Sequence, residues 1–276
     1  MWPVSGSLMK EPLALGRAEF GDSGISPLSA LLARHVALGR SPSYNKMMQS
    51  FSLGVLITSS LGTDGIDPGS ISTLASRISS AGVGALFVAT SRINAVEPVT
   101  VLAGIAAVND LVLGAVVSLE SGRNPAIVAK SATTLALMAP ARVALLFESD
   151  QAADSLRLLE AVEVAASLTL DGPVSAGGGE FFVRDAYNEP RPSEREALAV
   201  GVIVDRISPE LAMACDLVLT RVDKVDPGVN SGANVVPVVG ENTAIPISIE
   251  SVVVQVDGAS IDHVVEVVAR MRSRRS

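Results

Sequence analysis

From Phe51 onward, eight short apolar runs recur along the chain, most of them separated by segments with helical spacing. The runs are 51–58, 84–90, 111–118, 142–148, 199–204, 216–220, 235–240 and 251–257. Each is too short to be a helix in its own right and lacks the polar alternation of a half-solvated strand. Such runs read as strands buried on both faces, the pattern of parallel sheets covered by helices. Between them, 68–81 places Ile71, Leu74, Ala75 and Ile78 on one helical stripe, with Gly82 as a stop. Segments 97–108 and 125–138 read as helices opened by Pro98 and Pro125, 152–168 as a long helix, and 261–271 as a closing one. Strand–helix alternation implies parallel pairing through right-handed crossovers. Eight such units predict an α/β chain closed into a (β/α)8 TIM barrel; strand composition by itself leaves an open doubly wound sheet as the alternative.

The remaining stretches differ. Residues 1–50 hold prolines at 3, 12, 27 and 42 and one helical segment, 29–38. They read as an irregular, partly disordered N-terminal leader, with 51–276 as the barrel domain. Segment 171–192, with three consecutive glycines at 177–179, reads as an irregular loop.

Composition narrows the function classes. Aromatics make up only 3% of the chain, so Ala, Val, Leu and Ile must fill the core. Net charge is −8, which excludes the basic face of a general nucleic-acid binder. The tail Arg270, Arg272, Arg274 and Arg275 reads as a solvated helix C-terminus complementing the helix dipole. A single cysteine, Cys215, forms no internal disulfide and lies in an apolar run, so it reads as buried filler in a reducing, cytoplasmic compartment. No apolar run reaches membrane-spanning length, and Met1–Lys10 lacks the pattern of a signal peptide. The expected partner is therefore a small molecule, with neither nucleic acid nor membrane.

In such a barrel the chemistry sits where strands end. The predicted ends supply Thr58, Ser59 and Ser60; Thr90 and Ser91; Ser118; Ser149 and Asp150; Asp205; Thr220 and Arg221; Gly240, Glu241 and Asn242; and Asp257. The set reads as rich in hydroxyls and poor in strong acids and bases. No serine has a histidine partner, His263 reads as a surface residue on the last helix, and two distant histidines exclude a zinc site. A hydroxyl-lined apolar mouth suits a cofactor that carries its own reactivity. The plainer reading is that these Ser and Thr residues cap the helices that follow.

One motif set shifts that balance. Glu97-Pro98, Leu102, Ala106-Ala107, Pro125, Ala129-Lys130, Thr134-Leu135 and Arg142 occur in order; Gly172–Ser175, Gly179–Val183 and Pro190–Pro192 follow, then Ile207-Ser208-Pro209 with Ala212, Ala214 and Asp216. Over roughly 51–220 this set resembles the luciferase-like flavin-dependent monooxygenase superfamily, which includes the nitrilotriacetate-monooxygenase-like and F420-dependent enzymes. The resemblance implies a luciferase-like TIM barrel, a flavin-dependent oxidoreductase of monooxygenase type, reduced FMN (or F420) as cofactor, an unknown small organic substrate, and a homodimer. It places Ser59, Thr90, Ser118 and Ser149 around the flavin ring and Ser208 near the phosphate, and assigns no catalytic residue. Departures point to shortened loops: Thr90 stands where relatives carry Asp, Met138–Arg142 replaces Ser-Gly-Gly-Arg, and the aromatic, basic segment after the fourth strand is missing. They support a second reading, a catalytically degenerate paralogue serving as a binding or interaction subunit.

Overall fold

The computed structural model describes residues 51–58, 70–89, 97–106, 110–139, 143–150, 155–170, 172–190, 198–222, 235–243, 245, 251–256 and 260–275. The expected leader and the helix expected over 29–38 lie outside them.

The apolar runs form strands β1 (Leu53–Ile57), β2 (Ala85–Ala89), β3 (Val112–Ser118), β4 (Val143–Glu148), β7 (Leu198–Val204), β8 (Leu217–Arg221), β9 (Val235–Gly240) and β10 (Val252–Val256). All pair in parallel and close as β1-β10-β9-β8-β7-β4-β3-β2. The ring is sealed by β1 on β10, from Leu53 opposite Val252 to Ile57 opposite Val256. The open-sheet alternative is thereby excluded. Helices α1 (Ile71–Ser80), α2 (Pro98–Ala103), α3 (Pro125–Met138), α4 (Ser155–Ser167), α5 (Pro209–Ala214) and α6 (Ile261–Arg275) connect them.

Strand parity splits the core in two. One set of strand residues, with Leu86, Val88, Leu113, Ala115 and Leu145, meets the helices. The alternate set, with Leu56, Phe87, Val116, Leu146, Ile203, Leu219 and Val238, fills the barrel interior. Phe87 and Phe51 are the bulky fillers there, packed edge-on with ring centroids 6.2 Å apart. Gly114 on the neighbouring strand makes room for it, since a Cβ at that position would stand 2.0 Å from the Phe87 ring.

Three helices begin with the same local device. Glu97, Asn124 and Ser208 each accept a hydrogen bond from a backbone N–H of the first turn, and a proline follows at once. The capping oxygen satisfies an orphan donor, while proline pre-sets φ where no N–H is needed.

Two expectations need correction. The helix expected over 97–108 ends at Ala103 and passes into a turn through Ala106. Segment 171–192 is not irregular: β5 (Val174–Gly177) and β6 (Phe182–Ala186) form an antiparallel hairpin. Gly177 takes φ +79, and a Cβ there would strike the Phe181 carbonyl oxygen, so only glycine turns this corner. The hairpin lies on α4, where Glu160 accepts from the backbone N–H of Glu180 at 3.0 Å. Below it, buried Asn188 donates to Thr133 Oγ1 and to the Leu168 carbonyl, both at 2.9 Å, tying the chain to α3 and the end of α4. Cys215 is buried, as its surroundings predicted. Among the described residues, no helix is long and apolar enough to cross a membrane.

Candidate functional site: the barrel mouth

Strand parity carries the interior-facing set up to the C-terminal ends of the strands, where βα loops build barrel active sites. The uppermost interior positions are Ala89, Ser118, Glu148, Arg221, Gly240 and Gln255, with Thr58 and Asp205 one residue past their strands. This ring is more charged than the strand ends predicted. Arg221 of β8 donates to Glu148 Oε2 of β4 at 2.7 Å, spanning the intervening β7. Its other terminal nitrogen lies 3.6 Å from Asp205 Oδ1. The Glu148 side chain is 15% exposed and Asp205 77%, so the first pairing is partly desolvated and the second is a solvated approach.

Above this pair lie two adjoining cavities that share Asp205 and Arg221. One, of about 610 Å³, is walled by Val222, Val238, Val239, Gly240, Glu241 and Gln255. The other, of about 580 Å³, opens between β4 and β7 and is lined by Ser149, Asp150, Leu158, Val204 and Leu211. Each falls within the range of small-molecule sites. A Cβ on Gly240 would meet nothing closer than Thr243 Oγ1 at 3.7 Å, so the glycine leaves open space beside the strand backbone.

The expected site residues separate. Ser59 and Thr90 lie outside the described residues. Ser118 is buried at the interior end of β3, and its hydroxyl donates to Glu120 Oε2 at 2.8 Å. Ser149 converges on the same carboxylate, donating to Oε1 at 2.7 Å. Burial alone would raise the Glu120 pKa; hydrogen bonds from Ser149, Ser118 and its own backbone N–H, with the nearby Arg157 charge, outweigh that and hold it below the ordinary glutamate value. Arg157 reaches this carboxylate at 3.3 Å and forks onto Glu180 at the hairpin tip with two 2.8 Å bonds. The structure thus joins Ser118 and Ser149 through Glu120, a residue to which sequence reasoning gave no role. Ser208 stands apart as the cap of α5, its Oγ accepting from the Leu211 N–H at 3.2 Å. That is the plainer reading raised from sequence.

Sequence reasoning also passed over Glu148, and it noted Asp205, Arg221 and Glu241 as strand-end residues without assigning them a role. Strand parity was the available signal: each lies an even number of residues from an interior core position, apart from Glu241 just past β9. His263 needs correction as well. It belongs to the first turn of α6, and its Nε2 lies 3.0 Å from Glu241 Oε2 on the cavity wall, so it is a half-exposed, paired residue rather than a simple surface one. Among the described residues, no three His, Cys, Asp or Glu side chains group as a metal site.

A closed barrel of eight parallel strands with helices between them is a TIM barrel, and similar solved structures share that fold. Among solved structures, the chain is similar to an F420-dependent secondary alcohol dehydrogenase in complex with an F420-acetone adduct (TM-score 0.53, 16% identity, 69% of this chain and 68% of that one). It is similar to monooxygenase RslO1 from Streptomyces bottropensis (0.53, 15%, 68% and 70%). It is also similar to the coenzyme F420 dependent tetrahydromethanopterin reductase from Methanopyrus kandleri (0.51, 15%, 69% and 65%). No protein-family model and no curated protein matches the chain.

Proposed function

We propose that this barrel is a flavin-dependent oxidoreductase that takes reduced FMN or F420 at its mouth and acts on a small organic substrate. The observation that carries the reading is the pair of adjoining cavities over the Glu148–Arg221 pair, where valines and Gly240 stand beside Asp205, Arg221, Glu241 and Gln255 and the second cavity is lined mainly by polar side chains. An apolar wall beside charged and amide groups suits a flat heteroaromatic ring that carries hydrogen-bonding heteroatoms and a phosphate. The nature of the similar solved structures, two F420-dependent enzymes and a monooxygenase, supports the same choice.

In this reading the wall of Val222, Val238, Val239 and Gly240 receives the ring, and Gln255 offers an amide to its heteroatoms. Ser59, Thr90, Ser118 and Ser149 are the proposed hydroxyl contacts, with Ser208 toward the phosphate. The bound cofactor supplies the electrons, delivered to O₂ from FMN or exchanged with the substrate by F420. The protein's own part is to orient the ring, exclude water and hold charge at fixed points.

The test is a titration of purified protein with reduced FMN and with F420, followed by absorbance and calorimetry. Saturable one-to-one binding of either is expected. Absence of binding to both would sink this reading and leave the non-catalytic barrel subunit in its place.

A further inference from the structure

We propose that Glu241 and His263 form a coupled proton site on the cavity wall that exchanges a proton with bulk water when a ligand binds. The proposal rests on the reading that the cavity is the ligand site. Glu241 lies on the wall of the 610 Å³ cavity, just beyond the C-terminal end of β9. Its Oε2 is 3.0 Å from His263 Nε2, and the imidazole, 41% exposed, reaches solvent. The Glu241 side chain is itself 33% exposed, so the pair sits on the cavity wall in contact with water.

The position of His263 is fixed by the backbone. Ser260 Oγ accepts from the His263 N–H at 3.2 Å at the start of α6. Among the described residues, the neighbouring charges are as follows. Asp262, the adjacent carboxylate, is bound by Arg77 of α1 at 2.6 Å. Glu266 is exposed one turn further along α6. On the cavity side stand Arg221 and Asp205, with uncharged Gln255. Glu241 is therefore the carboxylate that both faces the cavity and touches the imidazole.

The chemistry balances without any electron transfer. Protonated His263 passes its Nε2 proton to Glu241 Oε2. The resulting carboxylic acid gives a proton to a basic atom of the ligand. The neutral imidazole, which keeps its Nδ1 proton, is then reprotonated at Nε2 by a hydronium ion or buffer acid from the solvent, restoring the imidazolium. The reverse sequence exports a proton from the cavity. Imidazole suits this exchange because it can hold a proton on either ring nitrogen and pass it to a hydrogen-bonded carboxylate. A purely structural contact would instead only tie α6 to β9.

Two variants separate these roles: His263→Gln and Glu241→Gln retain hydrogen-bonding groups but remove the titrating one. Circular dichroism verifies that each folds. Reduced FMN and F420 are each titrated anaerobically into wild type and variants from pH 6 to 8, in buffers of different ionisation enthalpy. Protonation of the cofactor itself is common to all three proteins, so differences between them isolate the pair. One linked proton changes Kd by up to about tenfold per pH unit. Wild type is expected to show this extra dependence and a buffer-dependent heat, and both variants to lose them. Equal pH slopes and equal proton counts in wild type and His263→Gln, with cofactor bound to both, would overturn the coupled proton site and leave the cofactor reading standing. Failure of either cofactor to bind wild type removes both together, an outcome distinct from the first.

Discussion

At the scale of single residues, the mouth is organised by carboxylates that accept several donors. Glu120 collects the hydroxyls of Ser118 and Ser149 and the guanidinium of Arg157. Because its folded pKa is depressed, the stability it contributes is present above the unfolded glutamate value and is lost as pH falls through the folded value. Glu120→Gln removes that titration. Denaturant unfolding is therefore expected to show a smaller loss of stability for the variant than for wild type between pH 6 and pH 3. An equal acid-side loss in both proteins would rule out this role for Glu120. The hydroxyls were legible in the sequence as strand-end residues; their common partner was not. Glu120 lies two residues past Ser118 on a 3-10 turn, and only the closing of β3 onto β4 brings Ser149 to it.

At the scale of elements, strands and helices were legible because their signals are local. All eight barrel strands fall within the predicted runs to within one or two residues at either end, and the stripe Ile71, Leu74, Ala75 and Ile78 is the buried face of α1. The hairpin was missed because its strands lack a clear alternating pattern: the residues of β6 are all exposed or half-buried. Its order comes from α4. Glu160 accepts from the turn's backbone, Arg157 forks onto Glu180, and the Arg157 guanidinium stands 5.7 Å from the Phe181 ring centroid. A bidentate guanidinium–carboxylate pair fixes direction as well as distance. Arg157→Ala is expected to raise amide hydrogen exchange across Val174–Ala186 while the barrel strands remain protected. Unchanged exchange in the hairpin would show that Glu160 and packing suffice to hold it.

At the scale of the whole molecule, the barrel is closed by strand pairing and filled from within by few large side chains. Phe87 occupies space that Gly114 leaves free on β3. Gly114→Val is expected to lower unfolding stability by about 1–3 kcal/mol through overpacking, measured by denaturant titration, because neither the ring nor the strand backbone has room to withdraw. A change below about 0.5 kcal/mol would mean the interior is looser than its geometry indicates. The sequence by itself determined the number of barrel strands, their parallel sense and the buried stripe of α1, because hydrophobic period and helix caps act over a few residues. It also carried the luciferase-like resemblance of the fold. Tertiary structure decided that the sheet closes on itself, that Glu148 meets Arg221 across β7, and that Glu241 meets His263 at the rim. These contacts join residues 73 and 22 positions apart. No local pattern encodes such pairings; they follow from strand order and from which side of each strand faces the barrel axis.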